Sequence, residues 1–233
     1  MKVKAILFFL LLSTALFANP FSGQIGLVII DAGHGGNDPG AVGFGIYEKD
    51  VTLELALALK AELEKNDIPC VLTRESDVYL SLEERVSFAR SQSYKAGTYP
   101  IFISLHCNSS DGESAAGTEI YIKKQSSTPN FYYKDLANVT LLSYSSYSKI
   151  QLNRYLNIRN YNLADTVSKE FQSAFPLKKS RGVKETDYYV LINNPITAIL
   201  IEVGFLSNKE ENALITSPLF QVEAAEAIRK AIL

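Results

Sequence analysis

Histidine and cysteine are scarce in this 233-residue chain, with two of each. Beyond the first twenty residues there is neither a run of basic residues nor an apolar stretch long enough to span a bilayer. Each shortage excludes something. Two cysteines, Cys70 and Cys107, do not make a disulfide scaffold. Both lie in apolar, strand-like runs and read as buried thiols. The missing basic run argues against nucleic acid as a partner. Internal repeats are also absent.

The one concentrated apolar run stands at the start, in "MKVKAILFFLLLSTALFANP". Lys2 and Lys4 precede an apolar stretch from Ala5 to Leu12 that continues loosely to Phe17, and small residues follow near Ala18. This is the layout of a secretory signal peptide, residues 1–18, cleaved after Ala18. An uncleaved membrane anchor is the rival reading, although the stretch is short for a spanning helix of about 20 residues. The expected destination is the periplasm, or otherwise the cell wall or medium, with no membrane span after cleavage. Removing Lys2 and Lys4 from 23 basic residues leaves 21 against 25 acidic ones, a net charge of −4. Residues 19–233 are enough for one domain with an ample core.

Along that domain strand-like and helix-like segments alternate. "LVIID" (27–31), "PCVLTR" (69–74), "IFISLHC" (101–107), "GTEIYI" (117–122), "YYVLI" (188–192) and "AILIEVGF" (198–205) read as strands. Residues 48 to about 65 carry Val51, Leu55, Leu59 and Leu63 at i, i+4 spacing, the pattern of an amphipathic helix. "SLEERVSFARS" (81–91) opens with a Ser-x-x-Glu capping box. Further helices are expected near 162–174 and 220–232. The fold class that follows is α/β, a single-domain, mostly parallel twisted sheet of about six strands with helices on both faces. Residues 125–161 break the rhythm: they hold six of the 13 tyrosines and no glycine, as in a lid, a functional insertion or a mobile loop.

The two histidines carry much of the chemistry. His34 follows "VIIDAG" and His106 closes "IFISL", so each stands at the C-terminal end of a strand, the edge where open α/β sheets bind ligands. Glu48 begins the first helix on the same edge. Alone it is an ordinary helix-start carboxylate; with the histidines it completes a His₂Glu set, whose donors suit a catalytic zinc with one position open for water. Glu202 interrupts the apolar run "AILIEVGF", where a buried carboxylate costs several kcal/mol unless it is paired or used. Pairing with a nearby arginine or helix start is one reading, and a general base beside the metal is the other. The loop "DAGHGGNDPGAVG" lacks both the Gly-Lys-Ser/Thr of a phosphate loop and a G-x-G-x-x-G that opens a helix. Its glycines are expected to leave room for a metal and an extended substrate. Asp31 is a possible partner for a ligand histidine. Asn108 is a candidate for orienting a ligand or substrate, or for capping its loop. Arg74, Asp77 and Arg85 read as ion pairs bracing "TRESD".

Taken in order, "DAGHGGNDPGAVG", "EKD", "TRESDVYLSLEER", "FISLHCN", "GTEIY" and "AILIEVGFLSN" resemble the zinc-dependent N-acetylmuramoyl-L-alanine amidases of the AmiC-like family. The resemblance runs from about Val28 to the C-terminus and leaves out the 125–161 stretch. It implies one zinc ion held by His34, Glu48 and His106, and Glu202 as the catalytic glutamate. The implied substrate is peptidoglycan, cut between N-acetylmuramic acid and L-alanine during wall remodelling or daughter-cell separation. Some relatives carry at the insertion a helix whose glutamate covers the zinc until a protein activator withdraws it. Here no glutamate occurs from Gln125 through Lys169, so a glutamate latch is not expected, and steric occlusion, activator binding or sugar contact by tyrosines are. The alternatives to the amidase are a peptidoglycan-binding module with the same fold and a zinc peptidase acting on another amide.

Overall fold

The computed structural model describes Pro20, Phe21 and residues 23–233. The signal-peptide assignment, 1–18, lies outside the described residues. Three strands are buried along nearly their whole length: β1 (Ile25–Ala32), β5 (Tyr99–Asn108) and β8 (Thr197–Phe205). Their apolar runs are covered on both sides, as parallel strands in a layered α/β fold require. With β4 (Cys70–Leu72), β6 (Thr118–Lys123) and β7 (Ser180–Thr186) they form a six-stranded sheet in the order β4-β1-β5-β8-β6-β7. Pairing is parallel except between β6 and β8. The remaining strands, β2 (Val42–Gly43) and β3 (Ile46–Tyr47), make a small hairpin in the glycine-rich loop.

One face of the sheet is covered by α1 (Glu48–Lys65), the C-terminal half of α4 (Lys149–Ala174), and α7 (Pro218–Ala231). The stripe Val51, Leu55, Leu59 and Leu63 lies in this main core, as its spacing predicts. The other face is covered by α2 (Leu82–Ser91) and the short α5 (Tyr189–Ile192), which bury Val86, Ala89, Val190 and Leu191. The capping box of α2 forms: Ser81 Oγ accepts from Glu84 N at 3.2 Å and Glu84 Oε2 from Ser81 N at 2.7 Å. Because α1 and α2 leave β1 and approach β5 on opposite faces, the chain reverses between these two strands. That switch point opens a crevice beyond their C-terminal ends.

Four expectations need correction. "YYVLI" is the helix α5, since a short apolar run does not distinguish strand from helix. The sixth strand is β7, a polar edge segment. The helix expected near 162–174 begins at Lys149, because buried Asn160, which accepts from Ala198 N at 3.0 Å, interrupts its apolar stripe. Both thiols are free, but Cys70 is only half-buried.

Residues 125–161 fold as a satellite with their own core, built from α3 (Asn138–Tyr144) and the start of α4. Phe21, Phe131, Leu136, Tyr144, Leu152 and Leu156 fill it. The cluster is tied to the main body by Arg90, which pairs with Asp135 at 2.8 Å, and by Tyr144 OH, which donates to Pro195 O at 2.7 Å. The remaining helix, α6 (Lys209–Ile215), follows β8. No helix among the described residues is long and apolar enough to cross a membrane.

Candidate metal centre and active site

The crevice brings His34, Glu48 and His106 together: one ligand atom from each lies within 4.8 Å of the others. His34 leaves the end of β1 in a left-handed conformation (φ 57°) that turns its ring back towards β5. Glu48, at the first turn of α1, reaches across to the same point. Its Oε1 is 3.2 Å from His34 Nε2 and 2.9 Å from His106 Nδ1, and it accepts from Cys107 N at 2.9 Å. Oε2 accepts from Ala41 N at 2.8 Å. The two imidazoles stand edge to face, 5.0 Å apart.

The glycines serve these side chains directly. A Cβ on Gly33 would lie 2.5 Å from the His106 ring, and one on Gly40 would lie 2.6 Å from both Glu48 Oε2 and His34 Cδ2. What the loop accommodates at these positions is therefore the side chains of His34, Glu48 and His106, more closely than the metal or substrate expected from the sequence.

Glu202 enters from β8, where it is the register partner of His106 on the neighbouring strand. It is nine-tenths buried, and its Oε2 has no hydrogen-bond partner among the described residues. Burial pushes its carboxyl up to about 7, against the pull of His106. Neither arginine nor helix start satisfies it, so the paired-carboxylate alternative does not hold. For His34, burial opposes the charged form, but the hydrogen bond and charge of Glu48, helped by Asp38, raise it to about 9. Burial likewise opposes ionisation of Glu48, yet the hydrogen bonds from His106 and His34 hold it far below the usual carboxylate range. Such a cluster of paired charge is what a divalent cation would replace.

Two nitrogens, one buried carboxylate and an unpartnered carboxylate beside them fit zinc: three donors converge and a second carboxylate stands free beside them. His34, His106 and Glu202 line a cavity of about 500 Å³ together with Asp31, Asp38, Arg85 and an apolar and aromatic wall that includes Tyr79, Leu82, Tyr188 and Tyr189. No residue of 125–161 lines it.

The supporting residues are arranged differently from expectation. Asp31 hydrogen-bonds neither histidine; its carboxylate accepts from Thr73 at 2.7 Å, Ser104 at 2.7 Å and Arg85 at 2.8 Å. The partner of His34 Nδ1 is Asp38, at 2.8 Å, which sequence reasoning missed although it stands four residues away in the same loop. Arg85 also donates to Ala32 O and His34 O, and Arg74 to Ala32 O and Gly33 O. These arginines brace the glycine loop, and Arg74 also donates to Ser76 O within "TRESD" at 3.2 Å. Asp77 pairs with Lys49 at 2.7 Å. Asn108 hydrogen-bonds neither histidine and donates instead to Glu119 Oε2 at 3.0 Å.

Residues 28–233 match the sequence profile of the N-acetylmuramoyl-L-alanine amidases. The chain belongs to this family. It is 33% identical over 251 residues to the probable amidase AmiB of Haemophilus influenzae, covering 98% of this chain and 55% of AmiB. It therefore spans about half the length of that amidase. Against YqiI of Bacillus subtilis, an uncharacterised protein, identity is 32% over 211 residues, with 91% of this chain and 84% of YqiI covered. Among solved structures, the amidase AmiC2 of Nostoc punctiforme superimposes with a TM-score of 0.69 at 30% identity, covering 91% of this chain and 96% of that one. As a member of the amidase family the chain is a hydrolase of peptidoglycan, acting on the amide that joins N-acetylmuramic acid to L-alanine.

Proposed function

We propose that hydrolysis proceeds at the crevice, with one zinc ion held by His34, Glu48 and His106 and with Glu202 as the general base. The supporting observation is the convergence of the three donors beside Glu202 Oε2, the one buried carboxylate oxygen without a partner among the described residues. Zinc bound there supplies Lewis acidity, which acidifies water and polarises a carbonyl. The protein's own groups do the rest. Asp38 holds Nδ1 of His34, which fixes the tautomer and leaves Nε2 turned inward. Two backbone N–H groups, of Ala41 and Cys107, anchor the Glu48 carboxylate. Glu202, raised to about 7, is poised to take a proton from the attacking water near neutral pH. It then returns that proton to the departing L-alanine nitrogen, and the stem peptide leaves the glycan.

Export to the periplasm, or to the wall or medium, is the destination that fits this substrate and the 1–18 segment. A solved relative at 25% identity, the CwlD amidase of Clostridioides difficile, is in complex with the GerS lipoprotein. A protein activator of the present chain would bind the 125–161 satellite and act through α2 and the segment after α5. That route is favoured because the satellite grips Arg90 and Pro195 but contributes nothing to the cleft.

The test is a digest of purified sacculi followed by mass analysis of the products. The expected result is release of stem peptides with a free L-alanine amino group, stopped by a chelator and restored by zinc. Binding to sacculi without release would mark a binding module, and cleavage elsewhere in the stem a peptidase; either would overturn the proposal.

A further inference from the structure

On the face of the sheet that carries the cleft, polar side chains line up across four strands. His106 on β5 is the register partner of Glu202 on β8, and Glu202 is the partner of Glu119 on β6. Glu119 is buried, yet four donors hold it. Asn108 Nδ2 is at 3.0 Å, the Tyr121 hydroxyl at 2.5 Å, and Lys184 Nζ at 2.7 Å, with Arg181 Nε as the fourth. Both cations come from β7 and converge on the same oxygen, Oε1.

The Glu119 carboxylate balances only one of the two cations, so this three-residue cluster carries one unit of positive charge. A purely structural ion pair would need only one of the two. Both remain open to a ligand, with the Arg181 side chain 30% and the Lys184 side chain 37% exposed. They are also held in place from beneath: the Arg181 guanidinium lies 5.1 Å from the Phe205 ring centre and Lys184 Nζ 5.9 Å from that of Tyr121. Asn108 and Tyr121 pin the other oxygen of Glu119, so this acid cannot swing round to cover both cations.

We infer that Arg181 and Lys184 form a subsite for a carboxylate of the stem peptide, one residue beyond the L-alanine whose amide is cut. The inference rests on the amidase reading, which places the scissile bond beside Glu202. Neighbouring strands are about 4.8 Å apart, so cations gathered on Glu119 stand one to two spacings, roughly 5–10 Å, from the Glu202 strand. An extended peptide advances about 3.5 Å per residue, which brings the next residue's carboxylate into that window. In stem peptides that residue is a glutamate joined through its side-chain carboxyl, which leaves the α-carboxylate free unless it is amidated. A guanidinium and an ammonium side by side suit a carboxylate and gain nothing from a carboxamide.

The experiment compares two synthetic muropeptides that differ only in carboxylate or carboxamide at this position, using the zinc-loaded protein. The wild type should favour the carboxylate in kcat/KM by about tenfold, carried by KM, the factor expected for one charge-assisted hydrogen bond. Lys184→Gln and Arg181→Gln should each bring the carboxylate substrate down towards the amidated one. Lys184→Arg should keep the preference, and the melting temperature of Lys184→Gln should match the wild type. Equal rates on both substrates in the wild type, a preference for the amide, or a Lys184→Gln variant that lowers both rates by the same factor would overturn the subsite alone. No cleavage of either substrate would instead overturn the amidase reading on which it rests.

Discussion

The crevice of His34, Glu48 and His106 and the 125–161 satellite are both rich in polar groups, and they satisfy them in opposite ways. In the satellite the lone early carboxylate, Asp135, is fully taken up, accepting from Ser87 at 2.7 Å and from Arg90. Its interior is a knot of aromatic rings, with Phe21 and Phe131 5.5 and 5.7 Å from Tyr144. In the crevice, side chains far apart in sequence are brought together by charge, and one acid, Glu202, is left unpaired at a cost in stability. The difference teaches where to look for chemistry. A satisfied polar cluster holds a structure together, whereas an unsatisfied buried acid marks a place where something else must bind or react.

The largest expected effect separates the two regions most sharply. Glu202→Gln keeps the shape of the side chain and removes the base, so kcat should fall by about a thousandfold with zinc retained. A variant that keeps its kcat would make Glu202 a structural acid. Phe21→Ala should do the reverse. It empties the centre of the satellite core and should cost about 3 to 5 kcal/mol in urea unfolding while kcat stays the same. A large loss of kcat in that variant would show that the satellite and the crevice are coupled.

Asp31 provides a third contrast, within the crevice itself. Burial works against its charge, but Arg85, with Thr73 and Ser104, more than offsets this and lowers its pKa. A lowered carboxylate stabilises the fold above the ordinary range near 4, and this stability is lost as pH falls through the depressed value. Asp31→Asn should therefore cost about 3 kcal/mol near neutrality, by stranding Arg85, and should flatten the acid limb of stability against pH. An unchanged acid limb would assign that limb to other carboxylates. At the small end, Ile150→Ser on the exposed face of α4 should move stability by no more than about 0.5 kcal/mol. A larger loss would mean that this face is covered in the folded protein.

How far the sequence could be read follows the same division. The buried strands and α1 were legible from longer apolar runs and i, i+4 spacing, which the short run "YYVLI" does not offer, and the convergence of His34, Glu48 and His106 followed from strand ends sharing an edge. Glu202 was visible as an acid inside an apolar run. Glu119 carries the same signature in "GTEIYI" and was passed over, because half of that short strand is polar. Asp38 was hidden in a loop whose fold depends on positive φ at His34 and at several glycines, which spacing does not report. The satellite was illegible as structure because its core needs Phe21, more than a hundred residues earlier in the chain. Local periodicity in 125–161 therefore accounts for only part of it.

In the mechanism proposed for the crevice, three side chains hold one metal while a fourth works beside it. Its most direct test is zinc content per chain, measured by elemental analysis on the wild type and on His34→Ala, His106→Ala and Glu202→Gln. The wild type and Glu202→Gln should each carry one equivalent, and neither histidine variant any. A full equivalent retained by His34→Ala or His106→Ala, or lost from Glu202→Gln, would contradict it.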